Sequence, residues 1–157
     1  MTLERKKKKG AFDWFMIFIL LSLATFGIIW WVTSSIKEHH LQDDPKLHQL
    51  KEMLTPIHPV VKDLKLYKGK KSYTINKEKI YLCLKDENNN YYSNNMLIYV
   101  LLHEMAHLLN KDDIGHTEKF HEIFEGLIEK AHEMGIYNTS IPPVQNYCMH
   151  DKHGDEE

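Results

Sequence analysis

MLIYVLLHEMAHLLNKDDIGHTEKF, residues 96–120, decides how the rest of the chain is read. Its first two-thirds is apolar and free of proline and glycine, as a buried helix requires. On a helix His103 and His107 project from one face, one turn apart. Two imidazoles so placed can meet one Zn²⁺ at about 2.0–2.1 Å. Glu104 sits beside the first histidine and is too close in sequence to ligate with ease, so its natural role is general base toward a zinc-activated water. The flanking Leu101, Leu102, Met105, Ala106, Leu108 and Leu109 place the motif on a buried face. Burying two histidines and a glutamate without partners costs free energy, so the arrangement calls for a reason.

A third protein ligand must come from elsewhere. His116 follows Gly115, where the chain can reverse, and enters the next helical pattern. Three histidines would leave an open fourth position, the arrangement of catalytic zinc. His121, one turn further on, is the rival ligand, and Glu122 and Glu125 are the carboxylate alternatives. Asp112, Asp113 and Glu118 are candidates to accept the outer N–H groups of the ligand imidazoles. Tyr137 and Tyr147 are candidate donors to a developing oxyanion. For each of these eight the plainer reading is a solvated or packing side chain. The plainer reading of the whole motif is chance, which eleven histidines in 157 residues make easier.

Outward from the motif the chain reads as one small α+β domain. DDPKLHQLKEML suits a helix capped by Asp44, with Pro45 in its first turn and Leu47, Leu50 and Leu54 on one face. TPIHP ends it. LKLYKG, KSYTI and KIYLCLK are short alternating runs separated by Lys/Gly and Asn/Lys turns, and predict a short antiparallel sheet. Ile80, Leu82 and Leu84 point one way; Tyr81 and Cys83 point the other. After the polar loop DENNNYYSNN the motif helix is expected from about Asn95 to Leu109, capped by Asn94 or Asn95. A last helix is expected over about Thr117 to Met134, striped with Phe120, Ile123, Phe124, Leu127, Ile128 and Ala131 and stopped by Gly135.

Toward the N-terminus no charged residue occurs from Trp14 to Ile36, 23 residues. As a helix that is roughly 34 Å, enough for a hydrocarbon core of about 30 Å. All three tryptophans, Trp14, Trp30 and Trp31, sit near its ends, where interfaces favour them. Signal peptides have shorter apolar cores, about 7–15 residues, so a retained anchor is expected. Arg5, Lys6, Lys7, Lys8 and Lys9 precede the run. The positive-inside bias then keeps the N-terminus cytosolic and sends the C-terminal part across. The same lysines would attract anionic lipid headgroups. The expected organisation is a basic cytosolic segment at 1–11, a membrane anchor at 12–36, a metalloprotease-like domain at 37–147 and a polar tail at 148–157.

The remaining signals are weaker. The net charge of −2 says little about partners. Cys83 and Cys148 are too few for a disulfide framework, and one bond or two free thiols are both open. Seven lysines and two acids lie between Lys62 and Lys79. They would suit a phosphate backbone, or they are solvated hairpin lysines that protect an edge strand. The anchor weighs against nucleic acid. His39, His40, His150 and His153 lie in the flanks. Asn138-Thr139-Ser140 is an acceptor triplet for N-glycosylation in a lumen.

HEMAHLLNKDDIGHTEKF resembles the WLM and SprT-like zinc metalloproteases, in which HExxH is followed by a loop, then a histidine and an aromatic on the next helix. His103, Glu104, His107, His116 and Phe120 match that pattern. From KSYTINKEKIYLCLKD through GIYNTSIPPVQNYC the chain looks like the short WLM-type proteins of large nucleocytoplasmic DNA viruses. The resemblance implies a zincin-like fold, a zinc cofactor held by His103, His107 and His116, and peptide hydrolysis. For cellular members it also implies cleavage of proteins crosslinked to DNA. Two features depart from it: eight residues separate His107 from His116, more than is usual there, and the chain carries an anchor.

The expected function is thus a single-pass zinc metallopeptidase of a host or virion membrane. It would act on polypeptides, which would pair with an edge strand at Lys79–Leu84. The alternatives are a membrane-tethered structural or virion protein with a structural zinc, and a DNA–protein-crosslink protease.

Overall fold

The computed structural model describes residues 2–111 and 115–148, and side chains from residue 13 onward. The chain divides into two compact units, 1–40 and 41–157. The described part of the first is helical throughout and belongs to α1, Thr2–Gln42, whose last two residues fall in the second unit. From Asp13 it is long and apolar enough to cross a membrane. Its large apolar side chains, Trp14, Phe18, Phe26 and Trp30 among them, are exposed. Such a surface is costly in water and at home in hydrocarbon.

The second unit is α+β. It contains α2 (Pro45–Leu54), a 3₁₀ turn (Pro59–Asp63), β1 (Lys65–Lys68), β2 (Tyr73–Ile75), β3 (Lys79–Leu82), α3 (Asn94–Leu109) and α4 (Glu118–Glu133). Asp44 caps α2 by accepting from the Lys46 N–H at 3.0 Å. Leu47, Leu50 and Leu54 are buried as the spacing requires. They join Ile80, Leu82, Leu97, Leu101, Leu102 and Met105 in one core.

The sheet is mixed rather than antiparallel, with strand order β1-β3-β2. β3 pairs with β1 in parallel and with β2 antiparallel. Burial is the physical reason. Ile80 and Leu82 are the most deeply buried strand side chains, so β3 takes the centre and fills both its edges. β2, with Tyr73 and Ile75 exposed, takes an end. Asn76 and Lys77 both have positive φ, 52° and 54°, which closes the β2–β3 hairpin tightly. Between β1 and β2 the chain turns at Gly69, where a Cβ would lie 2.9 Å from the Lys71 carbonyl oxygen and 3.2 Å from Tyr81 Cβ. No other residue fits that approach.

α3 begins one residue earlier than the sequence suggests, and its cap is Ser93, whose Oγ accepts from the Met96 N–H at 3.2 Å. The two asparagines are used elsewhere. Asn94 accepts from Lys46 Nζ at 2.7 Å, and Asn95 accepts from the Asn138 N–H at 2.7 Å. They tie α3 to α2 and to the C-terminal segment. α4 ends as expected at Gly135 (φ 68°). Gly135 N–H donates to His132 O and Ile136 N–H to Ala131 O, both at 2.9 Å, so the last carbonyls are satisfied.

Cys83 and Cys148 form a disulfide with Cα atoms 6.2 Å apart. It resolves the alternative that two cysteines leave open. It also fastens the C-terminal segment to the end of β3.

Candidate metal centre

α3 supplies His103, Glu104 and His107, and the turn before α4 supplies His116. The Nε2 atom of His103 lies 3.3 Å from that of His107 and 3.1 Å from that of His116. The ligand atoms of all three lie within 4.8 Å of one another. Two nitrogens on one tetrahedral zinc are about 3.3 Å apart by simple geometry from Zn–N bonds near 2.05 Å. Each ring brings only its Nε2 to the meeting point, and in a neutral imidazole that nitrogen is either a donor or an acceptor, so the three cannot all satisfy one another by hydrogen bonds. A shared cation satisfies all three, so the donor set fits zinc.

The packing explains why the three converge. The Phe120 ring lies 4.4 Å from that of His107, 4.7 Å from His116 and 5.0 Å from His103, centroid to centroid. It is a buried floor under the cluster. Gly115 takes φ 89° and lets the chain turn back. Thr117 then caps α4, and its Oγ1 accepts from Asn110 Nδ2 at 3.2 Å, joining the end of α3 to the start of α4. Lys77 donates to the Asn110 and Lys111 carbonyls and holds the C-terminal end of α3 against the hairpin. That places a positive charge where the helix dipole is negative.

Burial sets the electrostatics. It lowers the His103 pKa to about 4, with further lowering from His107, His116 and His121. Burial also lowers that of His107, helped by His116 and Lys77. Both rings are therefore neutral at pH 7, the form that binds a metal. Glu104 is 6 % exposed, and burial pushes its pKa up against the opposing bond from Thr74. The Thr74 hydroxyl lies 2.8 Å from Glu104 Oε2 and 3.1 Å from its backbone carbonyl.

The other candidates separate clearly. His121 is exposed and stands outside the cluster, its ring 6.4 Å from that of His116. Glu118, Glu122 and Glu125 are exposed on α4. Asp112, Asp113, His150 and His153 lie outside the described residues. Tyr137 is buried and packs 6.2 Å from the Tyr99 ring, as a core residue does. The Tyr147 hydroxyl donates to the Cys83 carbonyl and lies 3.0 Å from Ser72 Oγ. Burial pushes its pKa up to about 12. Its proton is used in the fold.

The expected edge at Lys79–Leu84 is not an edge, because β3 is central. Among the described residues, the free edge beside Glu104 is that of β2. Thr74 and Ser72 belong to no motif in the sequence. The alternation of KSYTI, which sets both on one face, was the available signal.

Two cavities flank this centre and share Ser72, His103 and Glu104. One is lined largely by residues with polar side chains and reaches His107, His116 and Thr74. The other is walled by apolar side chains.

No protein-family model matches the chain, and no solved structure matches it significantly. Two curated viral proteins do. "Uncharacterized protein 136R" of Invertebrate iridescent virus 6 is 48 % identical over 92 residues, covering 57 % of this chain and 51 % of that protein. "Uncharacterized protein 042R" of Invertebrate iridescent virus 3 is 42 % identical over 90 residues, covering 57 % of this chain and 56 % of that protein. The chain thus spans about half the length of these relatives.

Proposed function

We propose that this chain is a membrane-anchored zinc metallopeptidase of the WLM/SprT-like kind, with a zincin-like domain. One observation carries the reading: three imidazole nitrogens converge beside a buried carboxylate that faces the free edge of a strand. Zinc held by His103, His107 and His116 would supply Lewis acidity, polarising a peptide carbonyl and easing deprotonation of water.

The chain's own residues do the rest. Thr74 holds Oε2 of Glu104, which leaves Oε1 to take a proton from the attacking water. Burial raises the basicity of this carboxylate, so it accepts the proton more readily than an exposed glutamate. The same oxygen then delivers the proton to the departing amine. The exposed edge of β2 can pair with an extended peptide and lay its carbonyl beside Glu104. Ser72, Thr74 and Phe120 fix the geometry without taking part in bond making.

For location, the apolar part of α1 from Asp13 serves as the anchor, with the basic residues at the start of the helix on the cytosolic side and the second unit across the membrane. The Cys83–Cys148 disulfide supports that side, since such bonds persist in oxidising compartments. The iridovirus relatives support a viral setting, in which the membrane would be that of the host or the virion.

The test is metal content and peptidase activity of the full chain in detergent, as wild type and as Glu104→Gln. One zinc per chain in both, with a denatured protein cleaved by the wild type alone, is the expected result. Zinc in both and cleavage in neither would favour a structural metal in a tethered interaction protein. No zinc in either would remove the reading.

A further inference from the structure

Next to the metal cluster lies a cavity of about 650 Å³. Apart from the shared Ser72, His103 and Glu104, most of its wall is apolar: Met96, Tyr99 and Val100 from α3, and Pro143, Val144 and Tyr147 from the C-terminal segment. Nothing in the hydrolytic step uses these residues. Its size lies in the range of small-ligand sites, roughly 300–1,000 Å³.

The C-terminal half of the wall has no regular secondary structure, yet it is fastened at several points. Cys148 is bonded to Cys83. The Cys148 N–H donates to the Tyr92 hydroxyl at 3.1 Å. Tyr147 reaches the Cys83 carbonyl and Ser72 Oγ. The Val144 N–H points to Met96 Sδ at 3.2 Å. A wall held this way is preformed, and a ligand need not order it on binding.

Resting on the peptidase reading above, we infer that this cavity is a specificity pocket that takes a bulky apolar side chain of the substrate next to the bond that is cut. The position follows from continuity. Ser72, His103 and Glu104 border both cavities, so a peptide paired with β2 on the metal side would pass from one cavity to the other there. Successive residues of an extended peptide advance about 3.3 Å and alternate in direction. One side chain flanking the scissile bond is then turned into the apolar wall. Lys71 stands at the rim. An acidic side chain attracted to it is therefore the fair competitor.

Two ten-residue peptides test this, glycine and serine throughout except for one central Phe or, in its place, one Asp. Because the rest is uniform, each can slide until its distinctive side chain finds the pocket. Binding is measured to the full-length, zinc-loaded Glu104→Gln protein in detergent micelles, which holds a peptide without cutting it. The Phe peptide should bind at least about ten-fold more tightly. Val144→Trp, at a half-exposed position, should fill the pocket, retain one zinc per chain and erase that preference. Val144→Lys should do the same by charge, and serves if the tryptophan variant is unstable. Equal affinity for the two peptides overturns the inference, as does a Phe preference that survives both substitutions. Failure of the peptidase reading looks different: the wild type would hydrolyse neither peptide while the Phe preference and its loss on substitution remained. Hydrolysis of both peptides at one rate would leave the peptidase standing and remove the pocket.

Discussion

The hydroxyl of Thr74 on β2 lies 2.8 Å from Oε2 of Glu104 on α3, a hydrogen bond that spans 30 residues of sequence and joins the sheet edge to the proposed base. It orients the carboxylate and, by stabilising its charged form, partly offsets the upward pull of burial.

Thr74→Val should therefore lower kcat about ten-fold, the kinetic equivalent of one hydrogen bond of roughly 1.4 kcal/mol. Zinc content should be unchanged. With the bond gone the Glu104 pKa rises further, so the acid limb of the rate profile should move to higher pH. Thr74→Ser should restore both. A merely structural threonine would leave the pH profile where it was.

The two histidines at the start of α4 should behave differently. His116→Ala removes a converging nitrogen and should weaken zinc by more than the roughly 10–100-fold that loss of an outer partner costs. His121→Ala, at an exposed ring outside the cluster, should leave zinc affinity within about two-fold. A competitive chelator titration separates them, and a reversed order would assign the third ligand to His121.

Metal-free protein should lose stability as pH falls from 6.5 toward 4. In the unfolded chain His103 takes up a proton near pH 6.5, whereas folded it resists until about 4. The unfolded state thus binds more protons in that window and is favoured as pH falls. His107, also lowered, adds in the same direction. Glu104 opposes, because its folded pKa is raised. Thermal melts of chelator-treated protein at pH 7.5, 6 and 5 should show a falling midpoint, and His103→Asn should flatten the trend.

Loss of the disulfide should cost stability first and chemistry second. The bond closes 65 residues, and chain entropy alone values that at about 4 kcal/mol. Cys83→Ser with Cys148→Ser should lower the melting midpoint by several degrees while one zinc per chain remains. An unchanged midpoint would mean that Tyr147 and its partners hold the segment unaided.

Asn138 reports on sidedness. It is exposed, and its Oδ1 accepts from the Ser140 N–H at 2.9 Å, leaving the amide nitrogen outside that bond. Expressed with α1 in a eukaryotic secretory membrane, the chain should gain mass that a glycosidase removes and Asn138→Gln abolishes. No shift, together with protease sensitivity of the second unit from the cytosolic side, would reverse the topology.

What the sequence made legible is what is local. The spacing of His103 and His107 and the apolar run around them announce a helix with a ligand face, because both depend on a four-residue repeat. The cap at Asp44 and the stop at Gly135 were legible for the same reason. The strands were legible through alternation, but their order was not. Which strand sits in the middle depends on competition for burial among all three, and Ile80 and Leu82 decide that only in the assembled core. The partner of Glu104 was hidden likewise. Thr74 is an ordinary strand threonine until the sheet is laid against α3. The cap of α3 was misplaced because Asn94 and Asn95, good caps in isolation, are claimed by Lys46 and Asn138.

The bond between Cys83 and Cys148 makes a closed covalent ring of the chain between them. His103, Glu104, His107 and His116 all lie on that ring, and Thr74 lies just outside it. A single cut anywhere along the ring would release no fragment. Both halves would stay joined to α1 until a reductant reached the sulfurs. Damage of that kind passes unseen on a non-reducing gel, and the compartment's thiol balance would set how long a nicked molecule stays in one piece.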